Sequence, residues 1–399
     1  MLIKYSIVIP TRNKIEYLPY AIQSVLDTER NDFELIVSNN HSTDGTSEFL
    51  EQLNDYRLRV ISPPLSLPMA GHYEFAINEA RGEWITLLGD DDAVMPYIFD
   101  RLDYYINEYP EVDIISSVRA YFFWKGCENL YGDIIVNYQS KQAATLRFTR
   151  SDLMMVLSGR RSCFDMPQIY TTSMVKRSLY QEIKENSGGC FYHSIIPDMY
   201  SVVALSFSRE HYLRVEEPLF WVGTSNKSMG ISDRIYIDAN QFDNKNLFEF
   251  PCIPKKISES VSYEIHSGGF SAMYIFECLL KTPLLSQNYR LKQIRTMVFS
   301  AVIADSKGIS KEKMKKVILE IKNESKIYSL SFFRIWVLGK ILIFERKIRN
   351  LMVLPRKLKS ILGYNSDIIS YHSSSRFDYP TILHASKAII QARLKFQKK

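Results

Sequence analysis

The sequence is poor in cysteine and has no long hydrophobic run. Its 399 residues include only 5 cysteines, none in a Cys-x-x-Cys pair, which argues against a disulfide framework or a zinc site and favours a reducing compartment. No stretch approaches the roughly 20 apolar residues of a membrane-spanning helix; the longest candidate, 335–344, is interrupted by Lys340. The first ten residues lack the regions of a signal peptide. We therefore expect a cytoplasmic protein.

The composition is that of an average soluble protein, but the charge is divided unevenly along the chain. Hydrophobic residues make up 46% and charged residues 24%, which excludes disordered and collagen-like architectures. The net charge of +6 combines a balance of −9 over residues 1–232 with +15 over residues 233–399. Such asymmetry indicates a polyanionic partner for the basic half, either nucleic acid or an anionic membrane surface.

The first hundred residues alternate between strand-like apolar runs and helical periodicities. Strands are predicted at 5–10, 33–38, 57–62 and 83–88, with helices between them. Repeated βα units with short connections imply a parallel, doubly wound sheet flanked by helices. Ligands of such sheets bind outside the carboxyl ends of the strands, so the turns after residues 10, 38 and 88 should share one edge.

The pattern changes along the rest of the chain. Strands are predicted at 113–118, 168–175 and 219–222, and a helix at 198–206. Beyond about residue 232 the strand pattern fades, and helical segments rich in lysine follow. The sequence thus predicts an α/β domain over residues 1–232 and a mainly helical, basic region over residues 233–399, with the boundary near Ser232.

The acidic cluster Asp90, Asp91 and Asp92 carries the strongest chemical signal. Three adjacent carboxylates at the end of an apolar strand repel one another unless a cation lies among them. Hard ions such as Mg²⁺ or Mn²⁺ take oxygen ligands and bridge carboxylates to substrate phosphates. A solvated turn before Met95 and Pro96 is the alternative.

Three segments together resemble the family 2 glycosyltransferases. They are Ser-Ile-Val-Ile-Pro-Thr-Arg-Asn at 6–13, Phe-Glu-Leu-Ile-Val-Ser-Asn-Asn-His-Ser-Thr-Asp-Gly-Thr at 33–46, and Gly-Glu-Trp-Ile-Thr-Leu-Leu-Gly-Asp-Asp-Asp-Ala-Val-Met-Pro at 82–96. The resemblance implies a GT-A (Rossmann-like) fold. It also implies an inverting, metal-dependent transfer of a sugar from a nucleotide donor, expected to be UDP-linked. The acceptor would be a glycan or lipid-linked glycan, as in bacterial surface polysaccharide synthesis.

The resemblance also assigns expected roles to individual residues. It puts Pro10, Thr11 and Arg12 beside the nucleotide base, Asn39 where an aspartate usually pairs with uracil, Asp90 at the ribose, and Asp91 on the Mg²⁺ or Mn²⁺. Two departures stand out. Gly89 occupies the first position of the family's Asp-x-Asp-Asp cluster, so metal binding would rest chiefly on Asp91. Asn39 is a neutral acceptor and so a weaker one than a carboxylate.

An inverting displacement also needs a general base near the acceptor hydroxyl. Asp198, at the predicted start of the helix at 198–206, is the best candidate, and Asp165 and Glu182 are competitors. The alternative is that Asp198 only stabilises the helix dipole. Possible acceptor or phosphate contacts are His193, Lys227 and Ser228; a structural histidine and an interdomain linker are their alternatives.

The basic half offers a second prediction. Residues 329–363 interleave bulky apolar side chains with eight Lys or Arg residues and one Glu. Such a segment can lie among anionic lipid headgroups, or its apolar face can pack on the first domain. Nucleic acid is not expected, because no recognised nucleic-acid-binding motif is present.

Two other functions are alternatives to a glycosyltransferase. A catalytically inactive sugar-nucleotide binder or assembly protein is favoured by Gly89 and Asn39. A nucleotidyltransferase is disfavoured, because no Gly-rich, basic pyrophosphate loop opens the chain.

Overall fold

The computed structural model describes most of the chain, in separate ranges. They are residues 3–125, 127, 135–139, 143–194, 196–228, 268–286, 290–306, 311–361, 368–372 and 381–397. The boundary predicted near residue 232 lies outside the described residues, as does Cys252.

The first hundred residues form the predicted βα units. In chain order they are β1 (Tyr5–Thr11), α1 (Leu18–Leu26), β2 (Phe33–Asn39), α2 (Thr46–Glu51), β3 (Leu58–Ile61), α3 (Met69–Asn78), β4 (Trp84–Leu87), β5 (Ala93–Val94) and α4 (Ile98–Glu108). Every residue of β1 and β2 is buried, which explains their nearly continuous apolar sequences. Helix α1 buries a stripe of apolar residues against the sheet, namely Leu18, Ala21, Ile22 and Val25.

The middle of the chain adds longer strands and three helices. They are β6 (Ile114–Phe123), β7 (Ile135–Gln139), β8 (Ala144–Phe148), α5 (Thr149–Leu157), β9 (Ser173–Lys176), α6 (Arg177–Asn186), α7 (Pro197–Ser208) and β10 (His211–Thr224). The basic half contributes α8 (Gly268–Lys281), α9 (Leu291–Asp305), α10 (Lys311–Ile327), α11 (Phe332–Ile361), β11 (Ile368–His372) and α12 (Ile382–Gln397).

Among the described residues, nine strands form one large mixed sheet, and β7 and β11 form a second, two-stranded sheet. The order of the large sheet is β3-β2-β1-β4-β9-β6-β10-β5, with β8 paired to β10. Strands β3, β2, β1 and β4 run parallel, as do β6 and β10, while β9 is antiparallel to both of its neighbours. A mostly parallel sheet flanked by helices is the architecture expected of a GT-A fold, so the predicted fold class is confirmed.

The C-terminal helices share a hydrophobic core with the sheet domain. Ala272 and Ile275 of α8 and Val298 of α9 are fully buried in the same cluster as Leu153 of α5 and Val202 of α7. Helix α12 packs in a different hydrophobic cluster, where its Ser386 accepts a hydrogen bond from the Trp221 indole at 2.8 Å. The inner faces of these helices therefore pack on the α/β domain.

Arginines fasten α11 to the loop that follows α5. Arg346 donates to the carbonyl of Gly159 at 2.9 Å and pairs with the buried Asp305. Arg160 makes a bidentate pair with Glu345 at 2.9 and 3.0 Å. Part of the positive charge in the basic half thus serves internal packing.

Two details differ from the sequence predictions. The strand predicted at 168–175 is observed only at Ser173–Lys176. Residues 168–172 form a loop instead, because their polar groups bond to other segments; Thr171, for example, donates its N–H to the carbonyl of Leu87 at 2.8 Å. The mainly helical region also contains β11, which pairs with β7. Within the described ranges, no helix has the length and apolarity needed to cross a membrane.

Gly159 provides a test of the contact between the two halves. It has a φ of +69°, and a Cβ there would lie 2.7 Å from the Ala301 Cβ of α9. Gly188 has a similar φ of +75° but open space around it. We expect Gly159→Ala to lower the free energy of unfolding by about 1–3 kcal/mol more than Gly188→Ala, since overpacking adds to backbone strain. Urea unfolding of both variants measures this; equal losses would contradict the contact.

Candidate active site

The carboxyl ends of β1, β2 and β4 meet at one edge of the sheet. The register pairs Thr11 with Asn39, and the N–H of Leu88 donates to the carbonyl of Val8 at 2.8 Å. The aspartate cluster, defined as Asp90, Asp91 and Asp92, follows β4 at this edge. The Thr11 hydroxyl donates to an Asp90 carboxylate oxygen at 2.9 Å. The structure therefore brings the first and third sequence motifs into direct contact.

Asp92 points inward and binds backbone groups. One carboxylate oxygen accepts the N–H of Gly223 at 2.6 Å, and the other accepts the N–H of Gly89 at 3.1 Å and the hydroxyl of Thr171. Burial, reinforced by the neighbouring Asp91 charge, raises the pKa of Asp92 to about 8. Asp92 thus joins the ends of β4 and β10 to the loop before β9.

Asp91 faces a polar pocket formed by the loop after β10. One of its carboxylate oxygens accepts the hydroxyls of Ser225 at 2.6 Å and Ser228 at 2.5 Å. The Lys14 ammonium lies 3.8 Å from that same oxygen. In this structure the Asp91 carboxylate is therefore paired with hydroxyl and ammonium donors.

Asp90 lies between Thr11 and Lys14. The ammonium of Lys14 is 3.9 Å from an Asp90 oxygen. Burial and the Asp91 charge raise the pKa of Asp90 to about 6, although Lys14 acts in the opposite direction. The three adjacent carboxylates thus have three different environments, which is how a site accommodates like charges at short range.

The loop 223–228 is held over the cluster by the segment after β1. Lys14 donates to the carbonyl of Lys227 at 3.0 Å, and the Tyr17 hydroxyl donates to Asn226 at 2.9 Å. The Lys227 ammonium pairs with Glu16 at 3.3 Å. Ser228 is therefore placed at the cluster, whereas the Lys227 side chain points to Glu16.

A side chain at Gly89 would require its neighbours to move. A Cβ at this position would overlap a carboxylate oxygen of Asp92 and lie 2.5 Å from the Tyr170 hydroxyl. The space that a first aspartate of an Asp-x-Asp-Asp cluster would take is thus occupied by two other side chains. This explains the departure of the sequence from the family pattern.

Asp198 lies at the second residue of α7, after Pro197. Burial raises its pKa, while the N–H of Met199 and the charge of Arg119 lower it. The charges of Asp198, Asp90 and Asp92 all raise the pKa of Tyr73, although burial of Tyr73 is the larger cause. The charges of Asp198 and of two members of the aspartate cluster thus act on the same tyrosine.

Glu182 and Asp165, the alternative candidates for the general base, lie in different surroundings from Asp198. Glu182 pairs with Arg209 at 2.7 Å on an exposed surface, which lowers its pKa. Asp165 ends a short 3₁₀ helix, Cys163–Asp165, and its charge acts on Arg214. The Asp198 charge, in contrast, acts on Tyr73, as do the charges of Asp90 and Asp92.

The remaining predicted residues differ in their accessibility to a ligand. Pro10 is buried within β1, whereas Arg12 is exposed. The amide of Asn39 accepts the N–H of Ser42 at 3.1 Å and donates to Ser47 at 2.9 Å. His193 Nε2 contacts two backbone carbonyls, at 3.0 and 3.2 Å. In this structure Asn39 and His193 therefore stabilise their own loops.

Several residues of the site were not identified from the sequence. Lys14 and Ser225 bind the cluster, Thr171 and Tyr170 contact it from the loop before β9, and Tyr73 comes from α3. Lys14 could have been predicted as a site residue, because it directly follows the first motif. The others come from distant segments, and only the fold brings them to the cluster.

A divalent cation fits the chemistry of this donor set. Asp91 offers a carboxylate, Ser225 and Ser228 offer hydroxyls, and the position of Lys14 shows that positive charge is accommodated between Asp90 and Asp91. Across the ranges that the structure describes, no group of three His, Cys, Asp or Glu side chains could hold a metal alone. Oxygen atoms of a phosphate ligand would have to complete the coordination.

Comparison with known proteins finds similarity to glycosyltransferases. The sequence profile described as Glycosyl transferase family 2 matches residues 6–189. The glycosyltransferase GlyG of Streptococcus pneumoniae is 23% identical over 198 residues, covering 47% of this chain and 61% of GlyG. The GalNAc(5)-diNAcBac-PP-undecaprenol beta-1,3-glucosyltransferase of Campylobacter jejuni is 30% identical over 108 residues, covering 26% of this chain and 35% of its own length.

A solved structure of S. aureus TarS residues 1–349 superposes with a TM-score of 0.47 at 15% identity, covering 82% of this chain and 92% of that one. This chain spans less than two thirds of the length of the two sequence relatives.

His72 allows a test of the buried layer beneath the site. Its Nε2 lies 2.9 Å from the Ser38 hydroxyl at the end of β2, and burial lowers the pKa of His72 to about 4 from 6.5. The unfolded chain therefore takes up a proton at His72 below pH 6.5, whereas the folded chain does so only near pH 4. Stability should fall across this window, by up to about 3 kcal/mol from this residue.

We expect His72→Gln to remove that part of the pH dependence, measured by urea unfolding between pH 7.5 and 4. His41→Gln, at an exposed position on the adjoining loop, is the matched control and should follow the wild type. Parallel curves for wild type and His72→Gln would show that His72 is not held neutral.

Proposed function

Because residues 6–189 belong to glycosyl transferase family 2 and the chain has a GT-A fold, we propose that it is an inverting glycosyltransferase. It would move a sugar from a nucleotide donor, UDP-linked in our proposal, to a hydroxyl of a glycan or lipid-linked glycan. The observation that carries this proposal is that the first and third motifs meet at one edge of the sheet, where Thr11 donates to Asp90 of the aspartate cluster. An inverting displacement needs a base and a leaving-group site on opposite faces of the sugar.

The donor side is formed by the ends of β1 and β4. Asp90 and Thr11 would hold the ribose, and Asp91 would hold Mg²⁺ or Mn²⁺ with the hydroxyls of Ser225 and Ser228 nearby. When bound, the cation would neutralise charge on the departing diphosphate. Lys14 lies where its ammonium would also stabilise that charge.

The acceptor side is formed by the start of α7. Asp198 would accept the proton of the attacking hydroxyl as that oxygen bonds to the anomeric carbon. Burial raises the pKa of this carboxyl, and a base with a raised pKa takes a proton more readily at neutral pH. The helix N-terminus stabilises the ionised form before the reaction.

Replacement of Asp198 by Asn tests the assignment of the base. The amide has nearly the same shape but cannot accept the proton, so transfer should fall by about 100-fold or more while nucleotide-sugar binding is retained. Transfer and binding are measured with a panel of nucleotide sugars in the presence of Mg²⁺ or Mn²⁺. Glu182→Gln, at the paired surface carboxylate, is the control and should remain active; normal transfer by Asp198→Asn would eliminate this base.

A non-catalytic nucleotide-sugar binder is the second candidate. It is favoured by Asn39, whose amide groups bond to Ser42 and Ser47, and by the side chains that fill the space at Gly89. This candidate predicts that the wild type binds UDP and Mn²⁺ without hydrolysing or transferring any sugar in the panel.

We also propose that the enzyme works in the cytoplasm at an anionic membrane surface, where a lipid-linked acceptor would reside. The outer face of α11 exposes an apolar stripe made of Phe333, Trp336, Ile341, Phe344 and Ile348, with Phe333 73% exposed and Phe344 64% exposed. Exposed Arg334, Lys340 and Lys347 lie on the same face of the helix. The opposite face of α11, with Ile335 and Leu342, is buried. An exposed apolar stripe with basic residues among it suits anionic lipid headgroups.

The double variant Phe333→Ser and Phe344→Ser tests this surface. Sedimentation with phosphatidylglycerol vesicles should show at least a tenfold loss of binding, because each phenylalanine contributes about 1.5–3 kcal/mol when buried. The matched control is Leu319→Ser with Ile327→Ser, which removes two exposed apolar side chains of α10. Equal binding by both double variants, or no binding by the wild type, would exclude the stripe as a membrane contact.

A further inference from the structure

Two buried tryptophans lie beside the backbone of the aspartate cluster. The indole N–H of Trp124 donates to the carbonyl of Asp91 at 2.8 Å. Trp221 on β10 pairs in the sheet with Ala93, the residue that directly follows the cluster. Phe122 meets both indole rings edge-on, with its centroid 4.9 Å from that of Trp124 and 6.3 Å from that of Trp221. The three rings therefore form one packed layer against the backbone at Asp91 and Ala93.

Helix α12 packs on these rings. The buried residues around Trp124 and Trp221 are called here the tryptophan cluster, and α12 contributes three apolar side chains to it, those of Ile382, Ala385 and Ile389. Ser386 of α12 is buried and accepts the indole N–H of the fully buried Trp221 at 2.8 Å. A buried indole N–H needs such a partner, because leaving it unpaired is costly. Helix α12 therefore joins the tryptophan cluster through both apolar contacts and a hydrogen bond.

The tryptophan cluster also reaches the loop 223–228. Tyr17 is buried in it, and the centroid of its ring lies 5.0 Å from that of Trp124. The Tyr17 hydroxyl donates to Asn226 of the loop at 2.9 Å. One packed unit therefore contacts both the Asp91 backbone and the loop whose serine hydroxyls bond to the Asp91 carboxylate.

Helix α12 comes from a part of the chain that is distant from the sequence motifs of the site. The profile of glycosyl transferase family 2 matches residues 6–189, whereas α12 begins at Ile382. Its contact with Trp221 therefore connects a segment outside the matched range to the residues that follow β4.

We propose that α12 is a positioning element of the donor site, here meaning the aspartate cluster and the loop 223–228. By holding Trp221 and packing the tryptophan cluster around Trp124, it fixes the carbonyl of Asp91 and thereby the direction of the Asp91 carboxylate. The inference rests on the proposed function, in which this carboxylate binds Mg²⁺ or Mn²⁺ at the donor diphosphate. Ser386 would then influence donor affinity through Trp221, without contact with the donor.

Such positioning is reciprocal, because two coupled sites change each other's free energy by the same amount. If docking of α12 favours donor binding, donor binding must favour docking of α12. A helix that only covered an apolar surface would change the free energy of unfolding but not the affinity of the folded protein for the donor. Donor affinity and helix docking are therefore measured separately from stability.

Replacement of Ser386 by Ala tests the contact, with UDP affinity measured by titration calorimetry in the presence of Mn²⁺. The variant removes the acceptor of the Trp221 indole, and UDP affinity should fall about threefold to tenfold. The matched control is Ser300→Ala on α9, which should bind UDP as the wild type does. Ser300 is also a buried serine that donates to the carbonyl four residues earlier, as Ser386 does, but its neighbours pack in a different cluster.

A double-mutant cycle tests the route through Trp124. Trp124→Phe keeps an aromatic ring but loses the N–H that bonds to Asp91, so it should weaken UDP binding by a similar factor. The double variant Ser386→Ala with Trp124→Phe should bind UDP about as weakly as Trp124→Phe alone, since both changes interrupt one series of contacts. Melting temperatures are recorded for all variants, so that the affinities compared are those of folded proteins.

Hydrogen exchange measures the reciprocal effect on the helix. In the wild type, UDP with Mn²⁺ should slow amide exchange in residues 382–390 about threefold or more beyond its effect on α10, which packs in a different cluster. In Trp124→Phe this difference between the two helices should disappear.

Two sets of results would overturn the inference, and they differ in what they say about the enzyme. If the wild type binds UDP and Ser386→Ala binds it equally well, or if the two losses add in full in the double variant, α12 does not position the donor site, although the proposed function stands. If the wild type binds no UDP in the presence of Mn²⁺, the UDP-linked donor of the proposed function fails, and the positioning role fails with it.

Discussion

The structure depends on how three adjacent carboxylates are accommodated at the end of β4. Like charges at this spacing are unfavourable unless each has a distinct partner. Asp92 accepts hydrogen bonds from the N–H groups of Gly223 and Gly89. Asp91 accepts hydrogen bonds from two serine hydroxyls, and Asp90 accepts one from the Thr11 hydroxyl. One of the three carboxyl groups thus bonds to the backbone, and the other two are paired with side-chain donors at the sheet edge, where we propose that the donor binds.

The rest of the fold keeps these partners in place. Gly223 must be glycine, because a Cβ there would overlap the carbonyl of Asp91, and the Trp124 indole donates to that same carbonyl at 2.8 Å. The helices of the basic half pack beneath α5 and α7, so they support the helix that carries Asp198. The donor side and the proposed base are therefore held by one continuous packed structure.

Local sequence patterns predicted the first half of the fold well, since β1, β2 and β4 are buried apolar runs and their following turns meet at one edge. Asp90 to Asp92 were identifiable for the same reason, being contiguous and following a strand. Residues 168–172 form a loop and not the predicted strand. Their apolar residues favour a strand, but the sequence does not show the hydrogen bonds that these residues make to distant segments. Tyr73, Tyr170 and Ser225 are close only in three dimensions, so no spacing in the sequence could reveal them.

The proposed site requires Asp91 and Asp92 to have different roles although they are neighbours. Manganese binding, followed by electron paramagnetic resonance with UDP present, should be measured beside thermal unfolding for Asp91→Asn and Asp92→Asn. We expect Asp91→Asn to lose manganese affinity and to keep its melting temperature. Asp92→Asn should melt several degrees lower, because its amide nitrogen would face a backbone N–H. Equal behaviour of the two variants in both measurements would contradict that requirement.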